Sequence, residues 1–178
     1  MTPYLTPQQA QYKIECNPPK FKTPALEALW RLHLARSKRD YPQSFHMSWS
    51  EPLLKYQNKK PANRLTSMCI DFLNLSGHLA ERINCQGQYR DQSKVVSDCL
   101  GRKKKIGSGF WAKSTATKGS SDIKAIIRGI SISFEIKVGK DFQSQAQNEY
   151  QKSVESAGGK YYIIKDFDQF FSIYKSII

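Results

Sequence analysis

Apolar and polar residues alternate most clearly in the stretch SISFEIKV, residues 131–138. In an extended chain Phe134 and Ile136 point to one side, whereas Glu135 and Lys137 point to the other. The alternation therefore predicts a strand with a carboxylate and an ammonium group side by side on one face. Spacing alone leaves two interpretations, an exposed ion pair on a solvated face or part of a polar site.

Apolar residues with helical spacing predict four helices. They are expected over residues 24–38, 62–76, 144–157 and 166–178. Pro24 suits the first turn of its helix, Ser144 and Asp166 are suitable N-caps, and Gly77 is a suitable stop.

Extended segments between these helices predict strands. They are expected over residues 78–85, 122–129, 130–138 and 160–165. Arg128 and Gly129 join the middle two as a tight hairpin. The order of elements predicts an α/β fold, in which helices flank one mixed central sheet.

The chain divides into an N-terminal extension, residues 1–60, and a core, residues 61–178. Residues 1–22 are polar and interrupted by prolines, which is typical of an arm, and the helix at 24–38 follows. No apolar run is long enough to span a membrane, and no apolar segment marks the N-terminus for secretion. We therefore expect a cytoplasmic protein with no membrane partner.

The charge of the chain is strongly basic, with 28 Lys and Arg residues against 15 acidic residues. The excess is concentrated in residues 82–140, which hold 13 basic and 4 acidic residues, including a run of four cations at 102–105. A phosphate polymer is the simplest partner for such a field, and a well-solvated basic surface is the alternative. Residues 86–109 are expected to form a long loop or hairpin, followed by a short strand at 110–114.

Cysteine and histidine patterns add no further chemistry. None of the four cysteines lies in a CxxC pair, and no histidine is spaced to complete a zinc site, so we expect reduced thiols. His33, His46 and His78 are scattered and are expected at surface or capping positions. We expect no organic cofactor.

The predicted hairpin brings Asp122, at the start of one strand, near Glu135 and Lys137 at the end of the other. Two carboxylates and a strand carbonyl suit Mg²⁺ or Mn²⁺. Lys137 can then hold an attacking hydroxide or meet the charge that develops on a phosphate.

Five elements of the sequence recur in this order and spacing in one nuclease family. They are Gly119 with Asp122, Glu135 with Lys137, Gln147, Gly158 or Gly159, and the apolar strand at 161–164. With them, residues 62–170 resemble the PD-(D/E)XK nuclease superfamily. More closely, they resemble the virus-type replication-repair nuclease (VRR-NUC) domain in its small stand-alone phage and bacterial form.

The resemblance implies a role for each matching residue. Asp122 and Glu135 would bind the metal with the Ile136 carbonyl, Lys137 would activate or position water, and Gln147 would orient the lysine or the substrate. Arg82 matches a basic residue that is usual in the family. The other nucleic-acid contacts are expected from the local charge, with Trp111 among the lysines: Arg102, Lys103, Lys104, Lys105, Trp111, Lys113 and Lys118. The implied reaction is Mg²⁺- or Mn²⁺-dependent hydrolysis of phosphodiester bonds.

The resemblance also favours a class of substrate. DNA is expected rather than RNA, and branched, flapped or junction DNA is a reasonable structure for it. Small members of the family can form homodimers, so a homodimer is also expected as an option for this protein. DNA repair in a bacterial or phage-infected cell is the expected setting.

Two departures from the family pattern keep other interpretations open. Ser121 replaces a proline that shapes the turn, and no acidic residue occurs at Asn63 or Arg64, where the family carries a metal-binding glutamate; Glu51 or Glu81 could replace it. A non-catalytic nucleic-acid-binding module or a phage inhibitor with the same fold is therefore the alternative. A sequence-specific restriction-type endonuclease would need a specificity segment at 1–60 or 86–110.

Overall fold

The computed structural model describes residues 20–43, 53–84, 87–114 and 116–178. Within these residues the helices are α1 (Pro24–Asp40), α2 (Pro61–Leu75), α3 (Gln145–Ser156) and α4 (Phe167–Ile177), with a short 3₁₀ helix at Leu54–Tyr56. The strands are β1 (Leu79–Arg82), β2 (Gln88–Asp91), β3 (Lys94–Ser97), β4 (Lys103–Ile106), β5 (Gly109–Ala112), β6 (Ile123–Ile127), β7 (Ile130–Ile136) and β8 (Lys160–Ile164). All four expected helices and the expected strands are present.

The central sheet has the strand order β1-β6-β7-β8. β1 pairs with β6 and β6 with β7 in antiparallel fashion, whereas β8 runs parallel to β7 after the crossover through α3. Arg128 and Gly129 form the predicted tight turn, with φ values of 50° and 79°, because a two-residue hairpin of this type needs a positive φ at both positions. The expected α/β architecture with a mixed sheet is confirmed.

One face of the sheet forms the apolar core. Alternate residues of β6 and β7, such as Ile123 and Phe134, are fully buried there. Phe72 of α2 lies edge-on to Phe170 and Tyr174 of α4, with ring centroids 5.8 and 5.0 Å apart. The apolar stripes of both helices therefore meet each other and the sheet, as their spacing predicts.

α3 packs against β8 and covers the β7–β8 part of the other face. Its Tyr150 ring lies edge-on to Tyr161, with centroids 6.4 Å apart, and Lys124 of β6 lies over the same ring. Ser144 caps the helix, as predicted, and Asp166 caps α4. This part of the second face is therefore shielded, whereas Leu79 of β1 and Ile126 of β6 on the same face are 62% and 48% exposed.

The described part of the N-terminal extension is built into the core. Ala25 and Leu29 of α1 and Tyr56 of the 3₁₀ helix are buried in the same cluster as Phe72 and Phe134. Trp30 is also buried and packs beside Phe21, as expected for a residue of the apolar stripe. Most of the predicted arm lies outside the described residues.

The expectation that His33 lies at the surface is wrong. His33 is buried because the 3₁₀ helix covers it, and its Nε2 atom lies 2.8 Å from the Tyr56 hydroxyl. The Tyr56 hydroxyl in turn donates to Asp71 Oδ2 at 2.6 Å. Burial, and then the positive charge of Lys55, lowers the pKa of His33 to about 4.

His78 lies 3.1 Å from the Tyr174 hydroxyl, so it fastens the start of β1 to α4. His46 lies outside the described residues, as do Cys16 and Cys85. Cys69 and Cys99 are free thiols, as expected, the first buried and the second exposed. None of the described helices is long and apolar enough to cross a membrane.

The basic segment forms a long two-stranded hairpin, which we call the ribbon (residues 88–112). β2 pairs with β5 and β3 with β4, and the Gln88↔Ala112 and Ser97↔Lys103 pairs belong to one continuous register. No residue of its four strands is buried. The ribbon is therefore an exposed insertion between β1 and β6, outside the core.

The His33–Tyr56–Asp71 chain leads to a prediction about stability. Tyr56→Phe removes a buried hydroxyl that serves two partners, one of them a carboxylate, so we expect a loss of about 1.5–3 kcal/mol in the free energy of unfolding. Urea denaturation would measure it. Tyr41→Phe is the control, since Tyr41 is 66% exposed; equal stability of the two variants would show that the network does not fasten the extension.

Candidate active site

One end of the sheet brings together the predicted site residues. Ile123 pairs with Phe134, so the same register sets Asp122 opposite Glu135, one step further along both strands. The Ile83 N–H donates to the Asp122 carbonyl at 2.9 Å, which extends the β1–β6 ladder to the same edge. The local hairpin thus positions Asp122 as the sequence predicts.

Asp122 is held by the loop before it and the strand beside it. Its Oδ2 atom accepts a hydrogen bond from the Ile136 N–H at 3.0 Å. Gly119 has φ +82°, and a Cβ there would lie 2.3 Å from the Ala146 carbonyl oxygen of α3. Only glycine therefore allows the loop to reach Asp122 while it passes so close to α3. Ser121, the residue before Asp122, is fully buried and donates to the Ile123 carbonyl at 3.2 Å.

Glu135 is a buried carboxylate, only 2% exposed. Its Oε1 atom accepts from Gln147 Nε2, and its Oε2 atom accepts from the Tyr161 hydroxyl at 3.3 Å. Burial, and then repulsion by the Asp122 carboxylate, raises the pKa of Glu135 to about 7. A perturbed carboxyl beside a second one is typical of functional sites.

Lys137 is also buried, at 7% exposure. Its Nζ atom lies 3.4 Å from Glu135 Oε1 and 3.3 Å from Asp141 Oδ2. The alternative of an exposed ion pair on a solvated face is therefore wrong, because α3 and its preceding loop shield this face. The polar face of β7 is a cluster of buried charges held by hydrogen bonds.

Gln147 belongs to a capping box at the start of α3. Its backbone N–H donates to the Ser144 hydroxyl at 3.3 Å, and its Oε1 atom accepts from the Ser144 N–H at 2.8 Å. Its Nε2 atom is thereby aimed at Glu135. The amide is bonded to Glu135 rather than to Lys137, which differs from the role expected for it. Helix capping and carboxylate positioning use the same side chain.

A cleft of about 540 Å³ opens beside Asp122. It is lined by Lys60, Asn63, Arg82, Ile83, Asn84 and Asp122. Arg82 Nη2 donates to Asn63 Oδ1 at 2.9 Å, so a guanidinium group and an amide meet on this side of the cleft. The cleft therefore combines one carboxylate of the cluster with two cations, a lining suited to a phosphate group.

The donor set for a metal is small. Among the described residues no three His, Cys, Asp or Glu side chains form a group that could hold an ion. Glu81 of β1 is exposed and lies opposite Lys124 of β6 in the sheet, and Glu51 lies outside the described residues. Asp122, Glu135 and the Ile136 carbonyl remain. Mg²⁺ is commonly held by one or two carboxylates plus substrate phosphates and waters, so the donors fit such an ion.

The expected nucleic-acid contacts are exposed. Arg102 pairs with Asp98 at 2.7 Å and Lys105 with Asp91 at 3.0 Å, whereas Trp111 is 71% exposed and lies edge-on to Tyr89. The remaining lysines lie on the ribbon, at its base or in the loop before Gly119: Lys103, Lys104, Lys113 and Lys118. The sequence predicts a long loop or hairpin for this segment; the structure forms the hairpin, which aligns the cations along one projection.

Three residues of the site were missed by the sequence reasoning. Tyr161 was assigned only to an apolar strand, yet its hydroxyl holds Glu135. Asp141 lies four positions after Lys137, and that spacing was the available signal for an ion pair. Lys60 precedes α2 and reaches the cleft only through the tertiary fold, so no local pattern indicates it.

Comparison of the chain with protein-family models and with curated proteins finds no match.

The raised pKa of Glu135 gives a prediction about stability and pH. The folded protein, without metal, keeps this carboxyl protonated up to about pH 7, whereas the unfolded chain releases the proton near pH 4.5. The contribution of Glu135 therefore destabilises the fold progressively as pH rises from about 4.5 to 7. Glu135→Gln lacks this effect, so relative to wild type it should gain up to about 3 kcal/mol between pH 5 and pH 8.

Urea denaturation in a chelator at the two pH values measures that difference. Glu149→Gln is the control, since Glu149 is an exposed carboxylate on α3. A stability difference between Glu135→Gln and wild type that stays constant with pH would contradict the raised pKa of Glu135.

Proposed function

We propose that this protein is a divalent-metal-dependent nuclease with a PD-(D/E)XK core similar to the VRR-NUC domain, and that it hydrolyses phosphodiester bonds in DNA. The observation that carries the proposal is the buried pair Glu135 and Lys137, held opposite Asp122 beside a cationic cleft. Charges are buried only at a cost, and such a cluster is expected where they act on a substrate. The strongly basic ribbon beside it supports a polyanionic substrate.

Asp122, Glu135 and the Ile136 carbonyl would hold Mg²⁺ or Mn²⁺. When bound, the ion would polarise the scissile phosphate and lower the pKa of a coordinated water. The residues of the chain prepare this site in advance: Gln147 and Tyr161 fix the Glu135 carboxylate, and the Ile136 N–H fixes one oxygen of Asp122. Side chains that are already held in position lose less conformational entropy when they bind the ion.

Lys137 would act on the attacking water and on the charge that develops at phosphorus. Its ammonium group is held between Glu135 and Asp141, both within 3.5 Å. Asp141 is 59% exposed at its side chain, so it is a positioning residue at the mouth of the site rather than part of the buried cluster. Lys60 and Arg82 would neutralise the phosphates that enter the cleft.

A non-catalytic nucleic-acid-binding protein is the second candidate. The Asn63–Arg82 hydrogen bond favours this candidate, because the related nucleases carry a third acidic residue at this position and here an amide lies beside a cation. This candidate keeps the cationic cleft and the ribbon but makes no use of the buried Glu135–Lys137 pair.

Cleavage by matched variants separates the two candidates. Asp122→Asn and Glu135→Gln keep side-chain volume and remove one charge each, so we expect losses of more than about 100-fold in single-turnover cleavage with Mg²⁺ or Mn²⁺. Lys137→Ala should lose cleavage but retain metal binding. Gln147→Ala removes only a partner of Glu135, and a loss of about 10–100-fold is expected.

Ser133→Ala is the control, because Ser133 is buried on the same strand face two positions from Glu135. Substrates should include single-stranded, duplex, flapped and four-way DNA, with Ca²⁺ and EDTA as additional conditions. Equal cleavage by wild type and both carboxylate variants would place the activity outside this site. Binding without cleavage of any substrate by wild type would favour the non-catalytic candidate.

A further inference from the structure

The ribbon is an exposed element that folding leaves uncovered. Seven of its large apolar residues are exposed: Tyr89, Val95, Val96, Leu100, Ile106, Phe110 and Trp111. An isolated two-stranded hairpin is only marginally stable in water, and apolar side chains on both of its faces gain from contact with a partner. The composition of the ribbon indicates what that partner is.

The two faces of the ribbon differ in charge. The pairs Arg90↔Phe110, Lys94↔Ile106 and Val96↔Lys104 lie on one face, because directly paired residues and alternate residues share a side. These three pairs hold three cations and no acidic residue, and we call this face the cationic face. Towards the tip, where the Asp98 N–H donates to the Arg102 carbonyl, the same face also carries the Asp98–Arg102 ion pair. The opposite face carries the Asp91–Lys105 ion pair, at 3.0 Å, and the Tyr89–Trp111 aromatic pair.

The dimensions of the ribbon match those of a DNA groove. Each long strand spans about ten residues, or roughly 33 Å at the usual rise, which is close to one helical turn of B-form DNA. The major groove of B-form DNA is about 12 Å wide and admits a two-stranded ribbon, whereas the undistorted minor groove is only about 6 Å wide. The major groove of A-form RNA is too narrow for side chains to enter.

The root of the ribbon lies at the candidate active site. Its first strand follows β1 after Arg82, and its last strand leads through the Gly119 loop to Asp122. The Ser114 hydroxyl donates to the Asn84 carbonyl at 2.8 Å, which ties the two legs together beside the cleft that Arg82 and Asp122 line. A duplex held along the ribbon therefore passes next to the carboxylates.

We propose that the ribbon inserts its cationic face into the major groove of duplex DNA and thereby presents one strand to the Asp122–Glu135 end of the sheet. Arg90, Lys94 and Lys104 contact phosphates and base edges there. This inference rests on the proposed function, and it names the substrate class as B-form duplex, either alone or as the arm of a branched structure.

Methylation protection tests the proposal without any cleavage. Dimethyl sulfate modifies guanine N7, which lies in the major groove, so a ribbon in that groove shields it. Wild-type protein on a duplex, in Ca²⁺ or in EDTA, should protect guanines over about one helical turn. A triple variant should lose this protection, and the slope of its log binding constant against log salt concentration should be shallower by up to about 2.7. Its substitutions are Arg90→Gln, Lys94→Gln and Lys104→Gln.

The matched control removes the same charge elsewhere. Lys152, Lys160 and Lys175 are exposed on α3, β8 and α4, and their replacement by Gln should leave the protected guanines unchanged. Thermal denaturation of both triple variants should match wild type, since none of the six residues is buried. A triple alanine variant of the ribbon should reproduce the glutamine result.

Several outcomes would overturn the proposal. Duplex binding with guanine N7 still reactive would place the ribbon outside the groove, and preferential binding of single strands would indicate stacking on Tyr89 and Trp111 instead. A ribbon variant that turns a dimer into a monomer and keeps its DNA footprint would assign the ribbon to a second copy of the chain. Because the footprint needs no catalysis, absence of cleavage would defeat only the proposed nuclease function.

Discussion

The burial of Glu135 and Lys137 on one strand face is the constraint on which the site depends. Removing both charges from water costs several kcal/mol unless their hydrogen-bonding capacity is met. Gln147 and Tyr161 meet that of the carboxylate, and Asp141 shares the ammonium group. Burial and the neighbouring Asp122 carboxylate nevertheless raise the pKa of Glu135 to about 7. The proposed metal site rests on these two carboxyl groups, which lie opposite each other at one end of the sheet.

α3 joins that cluster to the rest of the domain. The capping box that begins the helix also aims Gln147 at Glu135, and the Gly119 loop passes against the same first turn on its way to Asp122. A shift of the helix start would therefore move the amide, the loop and one carboxylate together. Such shared support is how a site is held to within a fraction of an ångström.

The buried core and the exposed ribbon have different roles in the molecule. α1 is part of the core and is held to it through Tyr56. The core positions the end of the sheet at which Asp122 lies. The ribbon projects from the same end of the sheet, and none of its strand residues is buried. It adds little to folding and is free to meet a polyanion, whose phosphates its cations would bind.

Spacing, caps and hairpin register act between near neighbours, so they were enough to predict the helices, the tight turn at Arg128–Gly129 and the approach of Asp122 to Glu135. The charge of the ribbon is likewise a property of composition alone. The burial of Glu135 could not be predicted in this way, because α3, the element that shields it, follows later in the chain. His33 was misjudged for the same reason: its cover comes from Tyr56, 23 residues away. Local patterns predict which face of an element a side chain lies on, but its burial depends on which distant segment packs against that face.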